Sequence, residues 1–308
     1  MALIEWDSSE KQLRLLALLQ KDGPGISINF VFETAIRYSI EQRYPATRMR
    51  YFSTTTDLNT APTYAFILEE GIASSIHIRP PPHGHDLDLL RSSLVELIEK
   101  FRHRIENDEN VLMMSDAHTL NMFHEVVSTY FPSIVACSPS SPVELFFMTD
   151  EQMEAASKTE LPSIDGFHAD SVDVDRDATT IHENWVHSAS LQSTTARLRH
   201  LPSSVIRDSS TGEACAWMMS SVYGQCSNLF TIPAFRGKGL ARLAELHLMK
   251  QFISLGLRPF KYIDEDNGEV AAARRNVLWT QWERRREADI GLVESGTAPL
   301  FYTMIKKK

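Results

Sequence analysis

Apolar positions along the chain alternate between two periods. Leu87, Leu90, Leu94, Leu97, Ile98 and Phe101 recur every 3.6 residues, which predicts an amphipathic helix. Ahead of it, Tyr64–Leu68 and Ser74–Ile78 are short apolar runs on either side of Glu69-Glu70-Gly71 and read as paired strands. The prolines of Arg79–Asp86 make that stretch a loop. Val111–Met114 reads as a buried strand. Asp116 then caps a helix that buries Leu120, Phe123, Val127 and Tyr130 and ends near Pro132, and Val143–Met148 is a further strand. Nearer the start, Lys11–Gln20 reads as a helix stopped by Asp22-Gly23-Pro24-Gly25.

The second half repeats this style. Phe167, Ala169 and Ser171 alternate as in a strand, and Ile181 and Trp185 share a helix face. Ser203–Asp208 and Ala214–Ser220 are strands flanking a turn that ends at Gly212, and Cys226–Ile232 is a third. A helix from Gly239 to near Gly256 buries Leu240, Leu243, Ala244, Leu248 and Leu255, and Arg258–Asp264 is the strand after it. Between the halves, Thr149–Asp177 carries nine acids and two bases and reads as a solvated linker running into a second domain. The expectation is an α/β (α+β) chain of two similar halves, 1–150 and 151–308, with an acidic linker at about 149–165.

Composition narrows the classes. At 308 residues, 43% hydrophobic and 23% charged, the chain is an ordinary globular protein with room for two domains. A net charge of −9 argues against a general nucleic-acid or anionic-membrane partner, although most of that charge sits in the one acidic stretch. No apolar run reaches the roughly 18 residues of a membrane span. Cys137, Cys215 and Cys226 are odd in number and lack CxxC spacing, so neither a disulfide framework nor a cysteine zinc site is expected. Glu5, Asp7 and Glu10 fit neither a secretory nor a transit peptide, which favours a soluble, intracellular, cytoplasmic protein.

The chemistry concentrates in Asn228–Ala241. A strand ends at Pro233, which has no N–H to donate, and Arg236-Gly237-Lys238-Gly239-Leu240-Ala241 turns straight into a helix. Glycines let a backbone approach a ligand closely, and free amides at a helix start attract anions. Arg236, Lys238, Arg242 and Lys250 face only Glu245 in this stretch, so the acidic protein is locally basic here. Neither a P-loop nor a GxGxxG dinucleotide motif fits, because Gly239 follows Lys238 and Arg242 stands where a third glycine belongs.

Arg236, Gly239 and Ala241, placed after Thr231-Ile-Pro-Ala-Phe, resemble the R-x-x-G-x-A signature of the GNAT N-acyltransferase superfamily. The resemblance implies a CoA pyrophosphate cradle at Arg236, Gly237, Lys238, Gly239, Leu240 and Ala241, with the pantetheine arm along Phe230, Thr231 and Ile232. Trp217, Gln225, Leu255-Gly256, Pro259-Phe260 and Asp266-Asn267-Gly-Glu269, together with Val172–Val174, Asn184-Trp185 and Leu201–Ser204, are similar to the glycine N-acyltransferase family. That similarity implies two tandem GNAT-like halves, each a mixed central sheet flanked by helices, with a degenerate first half. It implies acyl-CoA (CoA or acetyl-CoA) as co-substrate at the second half, with Asn267 in its site, and a small-molecule amine such as glycine as acceptor. No metal is implied. Mitochondrial residence is a second option from the family.

Two departures stand out. The family's base, a Glu eight residues before the proline, is Gln225 here, and an amide accepts no proton near neutrality. Arg274 stands where many GNAT enzymes have a tyrosine. Gln225 leaves a second reading open, a non-catalytic acyl-CoA-binding or regulatory protein. The other candidate catalytic groups are His168, His247, the acids Asp264–Asp266, and Tyr223, Tyr262 and Tyr302. His83 and His85 read as polar loop, Arg284–Arg286 and Lys306–Lys308 as solvated basic runs, and Trp279 and Trp282 as packing residues.

Overall fold

A computed structural model of the protein describes residues 3–21, 27–58, 62–69, 73–81, 86–107, 111–136, 141–185, 188, 190–265, 267–282 and 300–307. The first half runs β1 (Ile4–Glu5), α1 (Ser9–Lys21), α2 (Asn29–Ile40), β2 (Thr47–Ser53), β3 (Thr63–Glu69), β4 (Ala73–Arg79), α3 (Leu87–Asn107), β5 (Val111–Ser115), α4 (Ala117–Tyr130), β6 (Ile134–Ala136) and β7 (Ser141–Phe147). The second runs α5 (Asp150–Lys158), β8 (Phe167–Asp170), α6 (Val174–Glu183), α7 (Leu191–His200), β9 (Ser203–Asp208), β10 (Ala214–Ser220), β11 (Cys226–Thr231), α8 (Leu240–Ser254), β12 (Phe260–Asp264), α9 (Glu269–Arg275), β13 (Thr280–Gln281) and β14 (Leu300–Lys307). The order β-α-α-β-β-β-α-β-α therefore occurs twice, from β1 to α4 and from β8 to α9.

The chain divides into two compact units. The first holds Met1–Leu145, Ile263–Ala271 and Gln281–Lys308; the second holds Phe146–Tyr262 and Ala272–Thr280. In the first, strands follow the order β1-β2-β3-β4-β5-β14-β7, so the last strand of the chain lies inside the sheet built by the first half. β3 and β4 pair without interruption from Thr63↔Arg79 to Glu69↔Ala73. β4 and β5 pair in parallel from Ser74↔Val111 to His77↔Met114. Over one face, α3 and α4 bury Leu94, Ile98, Phe101, Phe123 and Val127 against Phe52, Ile76 and Ile305.

Asp116 caps α4 through bonds from the N–H groups of His118 and Thr119, as its position implies. Tyr130, expected in the core, is exposed at the last residue of that helix. α2 and β2 leave no clear mark in the sequence. α2 buries Phe30, Val31, Phe32, Thr34, Ala35, Ile36 and Tyr38, so it shows no polar stripe to set the period.

The acidic stretch after β7 opens not as a loop but as α5, started by a capping box in which Thr149 and Gln152 satisfy each other's backbone N–H. In the second unit, β11-β10-β9-β8 form an antiparallel sheet. α8 covers one face, with Leu240, Leu243 and Ala244 against Ile206, Cys215 and Ala216. On the other face Ala178 and Ile181 of α6 and Leu198 of α7 meet Trp217 and Met219. Buried Arg207 fixes α6 to this sheet: its guanidinium donates to both Asp177 oxygens, at 3.0 and 2.7 Å, and to Asp170 at 2.7 Å.

Candidate functional site

After β11, Pro233–Phe235 make one 3-10 turn and Arg236 returns to extended backbone. Gly237 and Gly239 then take φ of +78° and +82°, a region that side chains with a Cβ avoid. Gly239 is the N-cap of α8, and no side chain caps that end. The first-turn amides of Leu240, Ala241 and Arg242 have no intrahelical acceptor, and the macrodipole adds positive potential at the same place. Arg236 folds back on the strand, donating from Nε to the Thr231 carbonyl at 3.1 Å with its guanidinium 5.8 Å from the Phe230 ring centre. Lys238 lies over Phe167 and Phe235.

Lys250 does not belong to this basic group. Its ammonium donates to the carbonyls of Ala156, Ser157 and Thr159 and so closes the C-terminus of α5. Glu245 is likewise withdrawn: it is buried, its Oε1 accepts from Lys261 at 2.6 Å and from Trp279 Nε1 at 2.8 Å, and its Oε2 accepts from Asn276 at 2.8 Å. The loop charge is then that of Arg236, Lys238 and Arg242.

Among the described residues β11 is the edge of its sheet, and its ladder with β10 breaks. Trp217 pairs with Phe230 but Met219 with Ser227, so the edge strand carries one extra residue. Asn228 absorbs it at φ +50°, and Leu229 beside it is 36% exposed. Such a bulge bends the strand and leaves a residue out of the ladder. Trp217 stacks on Phe230, ring centres 5.0 Å apart. Trp217 Nε1 and Thr231 Oγ1 are buried without a hydrogen-bond partner among the described residues. Leaving a buried polar atom unpaired costs about 1–3 kcal/mol, so one on the edge strand and one on its neighbour β10 call for an explanation.

Gln225 stands in the turn just before β11, not on the strand. Its backbone N–H donates to Ser221 Oγ at 3.0 Å and its carbonyl accepts from the Ser221 N–H at 2.8 Å. Its side-chain Nε2 donates to the Tyr262 carbonyl of β12 at 3.4 Å. Burial raises the Tyr262 phenol well above its ordinary pKa, and Tyr223 adds to that. Burial likewise pushes the neighbouring Cys226 thiol up to about 12.

The FR47-like protein family model matches residues 205–273, from β9 into α9. Among solved structures, a Drosophila protein superposes over 98% of this chain and 97% of its own, at 16% identity and a TM-score of 0.73. A tandem GNAT protein from the clavulanic acid biosynthesis pathway covers 99% of this chain and 97% of its own, at 11% identity and a TM-score of 0.58. This is the tandem GNAT fold. A GCN5-related N-acetyltransferase from Sphaerobacter thermophilus covers 80% of this chain and 76% of its own, at 12% identity and a TM-score of 0.50. None of the curated proteins matches in sequence.

The two units differ at corresponding strand pairs. The strand pair β4–β5 of the first is joined by parallel pairing, and β4 has no bulge. Its counterpart in the second, β11–β12, is not a ladder: β11 ends its own sheet, and the Gln225 side chain reaches the β12 backbone instead. Phe230, Thr231, Ile232 and Arg236–Ala241 are thus gathered along one open edge and the loop that continues it.

The remaining candidates lie elsewhere. His168 Nδ1 bonds Ser209 Oγ at 3.0 Å on the exposed surface. His247 Nδ1 bonds Ser204 Oγ on β9 at 3.0 Å, and burial lowers its pKa. Asn267 stands in the turn after β12, its N–H donating to the Asp264 carbonyl at 2.9 Å. Asn267, Asp264 and Glu265 are grouped with the first unit, as is Tyr302 on β14. Arg274 sits in the last turn of α9. Trp279 and Trp282 are buried, in keeping with packing roles, whereas Leu255, expected in the core, is 36% exposed.

His83, His85, Asp266, Arg284–Arg286, Cys137 and Lys308 lie outside the described residues, as do the turn at Asp22–Gly25 and the Lys306 side chain. The described residues hold no cluster of three metal-ligating side chains and no helix long and apolar enough to cross a membrane. Sequence reasoning missed the Asn228 bulge, the link from Gln225 to Tyr262, and the Glu245 network. Only Asn228 leaves a trace, because asparagine tolerates positive φ better than most residues.

Proposed function

We propose that the second unit binds acyl-CoA and that the protein transfers the acyl group to the nitrogen of glycine or another small amine. The observation that carries this reading is the bulged edge of β11, unpaired among the described residues, running directly into a two-glycine loop and an uncapped helix. An unpaired strand edge suits the amide groups of a pantetheine arm. The amides of Gly237–Arg242, with Arg236, Lys238 and Arg242 around them, suit a pyrophosphate. Thr231 Oγ1, buried and unpaired on that edge, supplies a further polar contact.

In the proposed reaction the amine nitrogen attacks the thioester carbon, and the N–H freed at the Asn228 bulge stabilises the tetrahedral oxyanion. The C–S bond then breaks, the CoA thiolate takes up a proton, and the nitrogen loses one as the amide forms. Gln225, at the foot of the strand gap, orients the amine. That same residue favours a second reading, a CoA-binding regulatory protein without turnover, because it cannot act as a base.

Two experiments separate these readings. Calorimetry with acetyl-CoA should show binding under both, and Gly239→Val should weaken it. A β-branched residue held at φ +82° costs about 1–3 kcal/mol, a loss of up to roughly 5- to 150-fold in affinity. Unchanged affinity in that variant would remove the loop from the site. Release of free thiol with a panel of amines distinguishes transfer from binding. An inert wild type whose Gln225→Glu variant turns over would favour the regulatory protein.

A further inference from the structure

The groups that Gln225 and its chain neighbours meet in the second unit define what the amine must bring with it. Its own turn supplies Tyr223, and β11 supplies Cys226, whose thiol burial holds protonated. β12 presents the Tyr262 carbonyl to Gln225, with the Tyr262 phenol buried, and the charges of Lys261 on β12 and Glu245 on α8 act on Cys226, the next residue. Both oxygens of Glu245 are engaged, one by Lys261 and Trp279 and the other by Asn276. His247 of the same helix is turned to Ser204 on β9. Gln225 is itself oriented: with Nε2 committed to the Tyr262 carbonyl, its Oε1 is left as the acceptor. An oxygen so placed can receive an N–H from a bound amine and hold the nitrogen lone pair toward the thioester, but it removes no proton.

We infer that the acceptors of this site are weakly basic amines that arrive already neutral, held by Gln225 Oε1, rather than strongly basic amines deprotonated by the protein. This rests on the transferase reading above and narrows its acceptor, away from free glycine, to other small amines. The balance is complete without a protein base: neutral RNH2 attacks, C–N forms and C–S breaks, the nitrogen gives one proton to solvent, and the departing thiolate takes one back. An α-amine whose pKa is about 7.7–8.0 is roughly a tenth neutral at pH 7, whereas an alkylamine near 10.4 is neutral to only about 0.04%. The stronger nucleophilicity of the alkylamine offsets part of that difference. The class is therefore α-amines whose carboxylate is blocked as an amide or peptide, and amines weaker still.

The test uses the full chain, acetyl-CoA, and three acceptors: glycinamide, glycine and the side-chain amine of Nα-acetyl-lysine amide. kcat/KM is measured by thiol release from pH 6 to pH 10. Expected is a profile whose inflection moves with the pKa of each acceptor, and at pH 7 at least a roughly tenfold preference for glycinamide over the lysine amine. Gln225→Glu should add an inflection common to all acceptors. A common inflection already present in the wild type, or equal rates on all three acceptors at pH 7, would overturn the inference. Bound acetyl-CoA with no turnover on any amine would instead overturn the transferase reading, and this inference with it.

Discussion

Deleting Leu300–Lys308 is expected to leave the first unit unfolded, although those residues come last in the chain. β14 pairs with β5 from Phe301↔Ser115 to Ile305↔Val111. It also pairs with β7 at Leu300↔Val143 and with β6 at Ile305↔Ala136. Its removal opens the sheet along its length, leaving backbone groups on both sides without partners. Leu300, Thr303 and Ile305 are buried, and Ile305 packs in the core with Phe52, Ile98 and Phe123. Burial of Leu300 and Ile305 contributes about 1.5–3 kcal/mol each. With the lost ladder bonds, the total approaches the roughly 5–15 kcal/mol that stabilises a domain. Expression of the truncated chain should yield insoluble protein, or protein cleaved throughout residues 1–145 by limited proteolysis. A soluble truncation with wild-type protection there would contradict this account of the sheet.

Glu245→Ala is the second large effect expected. The substitution strands Lys261, itself buried, with its ammonium 4.4 Å from the Trp279 ring centre and no carboxylate beside it. It also frees Trp279 Nε1 and Asn276 Nδ2 from their acceptor. Breaking a buried pair from one side costs about 3–5 kcal/mol, whereas replacing both partners by apolar groups is often near neutral. Urea denaturation should show that loss for Glu245→Ala and recovery of much of it in the Glu245→Leu/Lys261→Met double variant. A loss below about 1 kcal/mol would mean that the network does not hold α8 to β12 and the segment after α9.

The sequence discloses most where apolar period and end signals agree. Leu90 to Phe101 mark α3, Asp116 marks the start of α4, and Gly239 marks the start of α8. α2 is hidden because nearly every face of it is buried, and α5 because its acids read as solvent-facing linker until the Thr149/Gln152 cap is seen. The loop Arg236–Ala241 is legible because its glycines are demanded by positive φ, a local property. What the strand gap contains is not legible, since the bulge is a register shift between two strands and the Gln225–Tyr262 bond joins residues 37 apart. Lys250 and Glu245 illustrate the same limit. Their charges count equally in a sequence window, yet one closes α5 and the other is neutralised in the core.

The central claim is that the edge of β11 and the loop after it hold CoA. The crystal structure of the full chain with CoA at saturating concentration tests it most directly. The account expects the pyrophosphate on the amides between Gly237 and Arg242, the pantetheine arm along Phe230–Ile232, and the sulfur toward the Asn228 bulge and Gln225. CoA bound in the first unit, or absent from this loop when calorimetry shows it bound, would contradict the account.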